Sequence, residues 1–427
     1  MQMNRIHKAL FLCSLIIIFS CKTKISKSTL KLNNNLLEQI LESKPALFTD
    51  ILKNKENYNV QIVFTQIDRD KNNKPHFTEH QFNVQHNNYF YPASTVKMPA
   101  AFLALEKLNE INISELHKNS ILVIDSNSSK QTVVYTQPNS LNGIPSIANY
   151  IKQIFMVSDN DAYNRLYEFL GQETFNQKLH SKGYTNAEIL HRLELALTPE
   201  QNRKTNPYSF YSENGNIIYT QKEQVNNKLL PDRNDFLGKG YISKGVLINS
   251  PMNFSGKNRI YIDDLHHMLM SVVFPENFSA KQKFNISEND RLFLLRQMSG
   301  YPIESDLPLY KSTNYWDTYV KFLFYGSEKI KPNSSLRIFN KVGDAYGHLL
   351  DIAYFVDFDT KTEFFLSAVI YCNTDGILND DKYDYDSTGL PFMKNLGKTI
   401  LDFEKSRKKK YLPNLSNFKF DYSKQYN

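Results

Sequence analysis

The chain has 427 residues, 13% of them aromatic with 29 Phe and 26 Tyr, enough to bury one large core or two ordinary ones. Its net charge of +7 is spread along the sequence, which argues against the clustered basic face of a nucleic-acid binder. Three cysteines, Cys13, Cys21 and Cys372, give no disulfide framework and spell out no zinc site.

The N-terminus reads as a targeting segment. Arg5 and Lys8 form a basic start, and Ala9 to Phe19 form an apolar run too short to cross a bilayer as a helix. Ile18-Phe19-Ser20-Cys21 resembles a bacterial lipoprotein signal, which implies removal of residues 1–20 and a lipid on Cys21. This predicts a lipid-anchored protein of the cell envelope facing the periplasm or the exterior. Residues 21–45 then read as a polar tether, and residues 46–403 as one domain. Leu36 to Leu52 carries helix-like apolar spacing that Pro45 breaks in two. Val60 to Ile67 and Phe77 to Val84 predict a hairpin around the turn Lys71 to Lys74.

Tyr91-Pro92-Ala93-Ser94-Thr95-Val96-Lys97 predicts a loop entering a helix near Ser94, continued by the apolar run Met98 to Leu105. Ile144 to Val157 and Asp161 to Leu170 predict two helices interrupted at Ser158-Asp159-Asn160, with Gly171 as a C-cap. Residues 203–257 are polar and weakly periodic, an insertion with one hairpin near Asn216 to Gln221. Asn258 to Phe274 and Glu288 to Met298 read as amphipathic helices. Leu336 to Val342, His348 to Phe358 and Thr362 to Tyr371 predict strands, and Leu390 to Glu404 a closing helix. Residues 404–427 read as a basic tail, with Arg407 to Lys410 either a solvated helix end or a contact for anionic lipid or envelope polymer. Strands at both ends and helices between them predict an α/β (α+β) fold. An antiparallel sheet built from the N- and C-terminal strands is flanked by helices and stands beside an all-α half, with a site at the seam.

Ser94 and Lys97 lie at i and i+3, on one face of a helix start. A serine there has free backbone N–H groups and the positive end of the helix dipole beside it, and a neutral lysine can take its hydroxyl proton. Ser94-x-x-Lys97, Ser158-Asp159-Asn160 and Lys341-Val342-Gly343, in this order, resemble the three motifs of the penicillin-recognising serine hydrolases, with the class A β-lactamases as the nearest group.

The resemblance implies a serine β-lactamase/transpeptidase-like fold and a role for each residue. Ser94 is the acylated nucleophile, Lys97 a candidate base kept neutral with help from Lys341, and Ser158 a proton relay to the leaving nitrogen. Asn160 binds a substrate amide, Lys341 binds the substrate carboxylate, and Gly343 lets substrate lie against the strand edge. The backbone N–H groups of Ser94 and Asp344 form the oxyanion hole. Asp159 serves its own turn.

Two departures stand out. Val342 replaces a hydroxyl residue in the third motif. His191-Arg192-Leu193-Glu194 resembles the start of the class A Ω-loop, where an Arg pairs with an acid, and Leu197 to Asn202 resembles its glutamate-Pro-x-x-Asn segment. Thr198 then occupies the place of the water-activating glutamate, with Glu194 and Glu200 as the nearby acids, so deacylation is expected to be slow.

The expected function is a β-lactamase-like serine hydrolase that forms an acyl-enzyme with β-lactams or D-alanyl peptide-like amides. Three alternatives stay open: a peptidase or esterase of the same fold, a binding or sensing lipoprotein acylated without turnover, and a scaffold with a relic site. A monomer is expected, with the membrane reached through its lipid and with no cofactor, no metal and no nucleic-acid partner. His266, His267 and His348 read as structural or surface residues.

Overall fold

The computed structural model describes residues 31–32, 35–126, 132–228, 232–311 and 314–423. The expected signal segment and Cys21 lie outside the described residues. A two-residue strand β1 (Lys31–Leu32) precedes helices α1 (Asn35–Glu42) and α2 (Pro45–Lys53). Leu37, Ile40 and Leu41 of α1 are buried in a hydrophobic core, so residues expected in the tether belong to the folded unit. Pro45 starts α2, where its missing N–H leaves no bond unmade.

The hairpin β2 (Gln61–Arg69) and β3 (Pro75–Phe82) leads into helix α3 (Lys97–Ile111) and the short strand β4 (Ile121–Ile124). Helices α4 (Ile147–Val157), α5 (Asn160–Leu170) and α6 (Gln172–Ser181) follow, then a single turn α7 (Pro199–Asn202). Residues 203–257 hold more than the one expected hairpin. Strand β5 (Tyr208–Tyr211) pairs with β4 on one side and with β6 (Ile217–Gln221) on the other, and β7 (Phe236–Leu237) pairs with β10 (Met252–Asn253). Strands β8 (Gly240–Ser243) and β9 (Val246–Ile248) form a hairpin between them. Helices α8 (Ile262–Val273) and α9 (Glu288–Ser299) and the kinked turn α10 (Phe322–Tyr325) complete the middle of the chain.

The last strands are β11 (Leu336–Ala345), β12 (His348–Asp357), β13 (Thr362–Tyr371) and β14 (Ile377–Leu378), before helix α11 (Leu390–Ser406). The main sheet runs β1-β3-β2-β13-β12-β11, and every pairing except β1–β3 is antiparallel. The two ends of the chain meet where β2 pairs with β13, Phe64 opposite Leu366. Side chains alternate across this sheet. Val63, Phe365 and Val369 join the core that contains α8, while Phe64, Leu366 and Ala368 join the core that contains α1, α2 and α11. This is the expected mixed fold, with β11 at the sheet edge, but the half beside it is not all-α: Leu122 and Ile124 of β4 and Tyr208 and Phe210 of β5 share the core of α3, α4 and α5.

The C-terminal segment differs from a solvated tail. Arg407 pairs with Glu404 at 3.0 Å and with Asp68 at 2.5 Å. Leu415 and Phe418 are buried, and Phe418 packs edge-on against Phe339 and Tyr354. The apolar side chains spaced after the lysines, unweighted in a charge-based reading, hold residues 404–423 on the domain.

Candidate active site

Ala93–Val96 is a 3-10 turn that feeds α3 at Lys97. Thr95 closes it by donating its N–H (3.1 Å) and its Oγ1 hydroxyl (2.5 Å) to the Pro92 carbonyl. Ala93 sits at φ +46°, a left-handed conformation costly for a bulkier side chain. Ser94 follows, half-buried, on the wall of a cleft of about 510 Å³. Gly343 of β11 lies against this turn. A Cβ there would stand 2.9 Å from Ser94 N and 3.1 Å from Pro92 O. The neighbour that demands this glycine is therefore the serine turn itself.

Lys97 is fully buried and donates to Asn160 Oδ1 at 2.5 Å, to Ser158 Oγ at 3.2 Å and to the Ser158 carbonyl. Burial brings its pKa down to about 7, against the opposing charges of Asp159, Asp344 and Glu194. Lys341 donates from the strand side to Ser158 Oγ at 2.8 Å and to the Val342 carbonyl at 2.6 Å. Burial first, and the charge of Lys97 second, push the Lys341 ammonium well below its usual range. Burial thus does for Lys97 what the sequence suggested Lys341 would do.

Ser158 takes a left-handed conformation at the end of α4, and Asp159 caps α5 by accepting the Ala162 N–H at 2.8 Å. The three motifs therefore converge on one hydroxyl, Ser158 Oγ. Val342 is buried on the other face of β11, in the core shared with α11, which suits an apolar side chain. Asp344 lines the cleft. Its carboxyl is raised by burial and held back by Lys341 and Lys97.

The loop after α6 corrects two expectations. Buried Arg192 pairs with Glu168 of α5, not with a loop acid, and also donates to the Lys204 carbonyl at 2.6 Å. Thr198 is exposed and caps α7 in a reciprocal box with Gln201, and Glu200 is exposed beside it. Neither lines the cleft. Glu194 does, at φ +56°, and its charge bears on both Lys97 and Asp344.

The cleft also contains residues that no motif marks. Tyr91 stacks on His191 with ring centres 6.0 Å apart and meets Tyr346 edge-on at 5.1 Å. Lys257, Asn379, Asp381 and Tyr383 line the same space. Strand β14 pairs in parallel with β8, which ties the loop carrying Asn379 to the 203–257 insertion. Of these, Tyr91, three residues from Ser94, and His191, next to Arg192, had a sequence signal that could have placed them here. His266 lies between Thr65 Oγ1 (2.9 Å) and Ser367 Oγ (2.8 Å), His267 pairs with Glu79 at 2.6 Å, and His348 is buried. None of the three lines the cleft, although His348 pairs in register with Ala345, which does. Among the described residues no group of three or more His, Cys, Asp or Glu side chains could hold a metal ion.

Fold and site together have the form of a serine β-lactamase-like fold. Residues 46–225 match the model of the β-lactamase enzyme family, a stretch holding the serine turn, the Ser158 loop and the Arg192 loop but not β11. The structure is similar to a β-lactamase from Sphaerobacter thermophilus (11% identity, 86% of this chain and 95% of that one, TM-score 0.46). It is similar also to PBP-A (15%, 88% and 98%, 0.48) and to a class A β-lactamase from Clostridium kluyveri (16%, 83% and 97%, 0.45). No curated protein matches the sequence significantly.

Proposed function

We propose that the protein is a serine acyl-transfer hydrolase that opens β-lactams or cleaves D-alanyl peptide-like amides through an acyl-enzyme on Ser94. The observation that carries this reading is the buried Lys97, one turn beyond Ser94, bonded to both Ser158 and Asn160 with its pKa at about 7. Near neutral pH a large fraction of such a lysine is an amine able to accept the Ser94 hydroxyl proton.

In this reading Ser94 Oγ attacks the carbonyl carbon, and the backbone N–H groups of Ser94 and Asp344 receive the oxyanion. When the C–N bond breaks, Ser158 gives its proton to the leaving nitrogen and is reprotonated through Lys97 or Lys341, both hydrogen-bonded to its Oγ. Asn160 orients the substrate amide. Water then attacks the ester carbon, the C–Oγ bond breaks, and Ser94 recovers its proton. Of the carboxylates that line the cleft, Glu194 is the one on the Arg192 loop, and it would activate this water, so the rate of turnover rests on Glu194 and not on Thr198. We propose further that the protein is a monomer held in the cell envelope by a lipid on Cys21. Rapid mixing with a chromogenic β-lactam tests the reaction. A burst of about one equivalent, absent in Ser94→Ala, is expected. Equal rates for the two proteins would refute it.

A further inference from the structure

The family resemblance assigns the substrate carboxylate to Lys341 and a hydroxyl beside it. Here neither is offered to the cleft. Lys341 is 2% exposed with its Nζ committed to Ser158 Oγ and the Val342 carbonyl, and Val342 faces the core. The cleft is instead lined by three carboxylates, Glu194, Asp344 and Asp381, and by two cations, Arg192 and Lys257. Arg192 is taken up by Glu168. Among the described residues Lys257 makes no ion pair; its Nζ lies 5.6 Å from the Tyr346 ring centre.

The turn that carries Lys257 is held firmly. Lys257 N–H donates to the Phe254 carbonyl at 2.8 Å. Arg233 donates to the carbonyls of Phe254 (3.3 Å), Ser255 (2.7 Å) and Lys257 (2.5 Å), and is itself paired with Glu188 at 2.9 Å. Phe254 is fully buried and packs edge-on against Tyr91 and Tyr346, at 6.0 and 5.1 Å. The end of the 203–257 insertion is thus fastened to the aromatic residue three positions before Ser94. The backbone beneath this cation is thus already fixed, and only the side chain is ordered when it meets an anion.

We infer that Lys257 is the residue that binds the substrate carboxylate, delivered to the cleft by the insertion in place of Lys341 and the missing hydroxyl. The inference rests on the acyl-transfer reading above. It is tested on the full chain by comparing acylation rates for a penicillin and for its methyl ester. The wild type should prefer the free acid. In Lys257→Ala that preference should fall by about 10- to 100-fold, the range for a charge-assisted hydrogen bond, with the ester rate unchanged. Lys257→Glu should reverse it. A preference that survives in Lys257→Ala but vanishes in Lys341→Ala would overturn the inference, as would equal rates for acid and ester in the wild type. Failure of both compounds to acylate Ser94 would instead refute the acyl-transfer reading itself.

Discussion

The Nζ of Lys341 lies 2.8 Å from Ser158 Oγ, so the edge strand of the sheet is joined to the loop between α4 and α5 by one hydrogen bond. Lys97 reaches the same oxygen from below at 3.2 Å. Two lysines sharing one hydroxyl cannot both hold full charge comfortably in a buried site. This arrangement sets the pH dependence. Acylation should rise as the pH is raised through about 7, where Lys97 loses its proton, and level off above it. Acylation rates measured across that range check this. A rate independent of pH there would show that Lys97 is not the base.

Gly343→Ala should impair acylation without unfolding the protein. The added Cβ meets the backbone of the serine turn at 2.9–3.1 Å, so the turn or the strand must shift. A displacement of the nucleophile by a fraction of an ångström to an ångström can lower the rate by about 10²-fold. Acylation rate and thermal melting, measured on the same variant, separate the two effects.

Glu194→Gln should lengthen the lifetime of the acyl-enzyme beyond that of the wild type, since a positioned general base contributes ~10²–10⁴-fold. Thr198→Glu should leave turnover almost unchanged, because Thr198 faces solvent as the cap of α7. Adduct lifetime after mixing with a β-lactam distinguishes these. A faster reaction in Thr198→Glu would restore the sequence-based placement of the base.

The sequence could mislead here for a physical reason. Pro199 and Asn202 suit a helical turn after Thr198 as well as they suit a catalytic loop, and local spacing does not say which side chains face a cleft. By contrast, the strands near Leu336, His348 and Thr362 were legible because long β-branched and aromatic runs flank clear turns. Ser94, Lys97 and Ser158 were legible because their spacing is fixed by helix starts and ends. Lys257 and Tyr346 were not, since their places depend on contacts such as Phe254 with Tyr91, more than 150 residues apart in sequence.

Arg192→Ala should destabilise the fold by about 3–5 kcal/mol, because it leaves Glu168 as an uncompensated buried charge. Urea unfolding measures this. A change within about 0.5 kcal/mol, typical of a surface site, would contradict the role given to the pair.

The anchor is tested separately. Cys21→Ser should move the protein from the membrane fraction to the soluble fraction, and unchanged partitioning would contradict a lipid on Cys21.

Intact-mass spectrometry after mixing with a penicillin, followed by peptide mapping, tests the central claim most directly. The account predicts one added penicilloyl mass on the peptide holding Ser94, absent in Ser94→Ala. No adduct on the wild type, or an adduct that persists in Ser94→Ala, would contradict it.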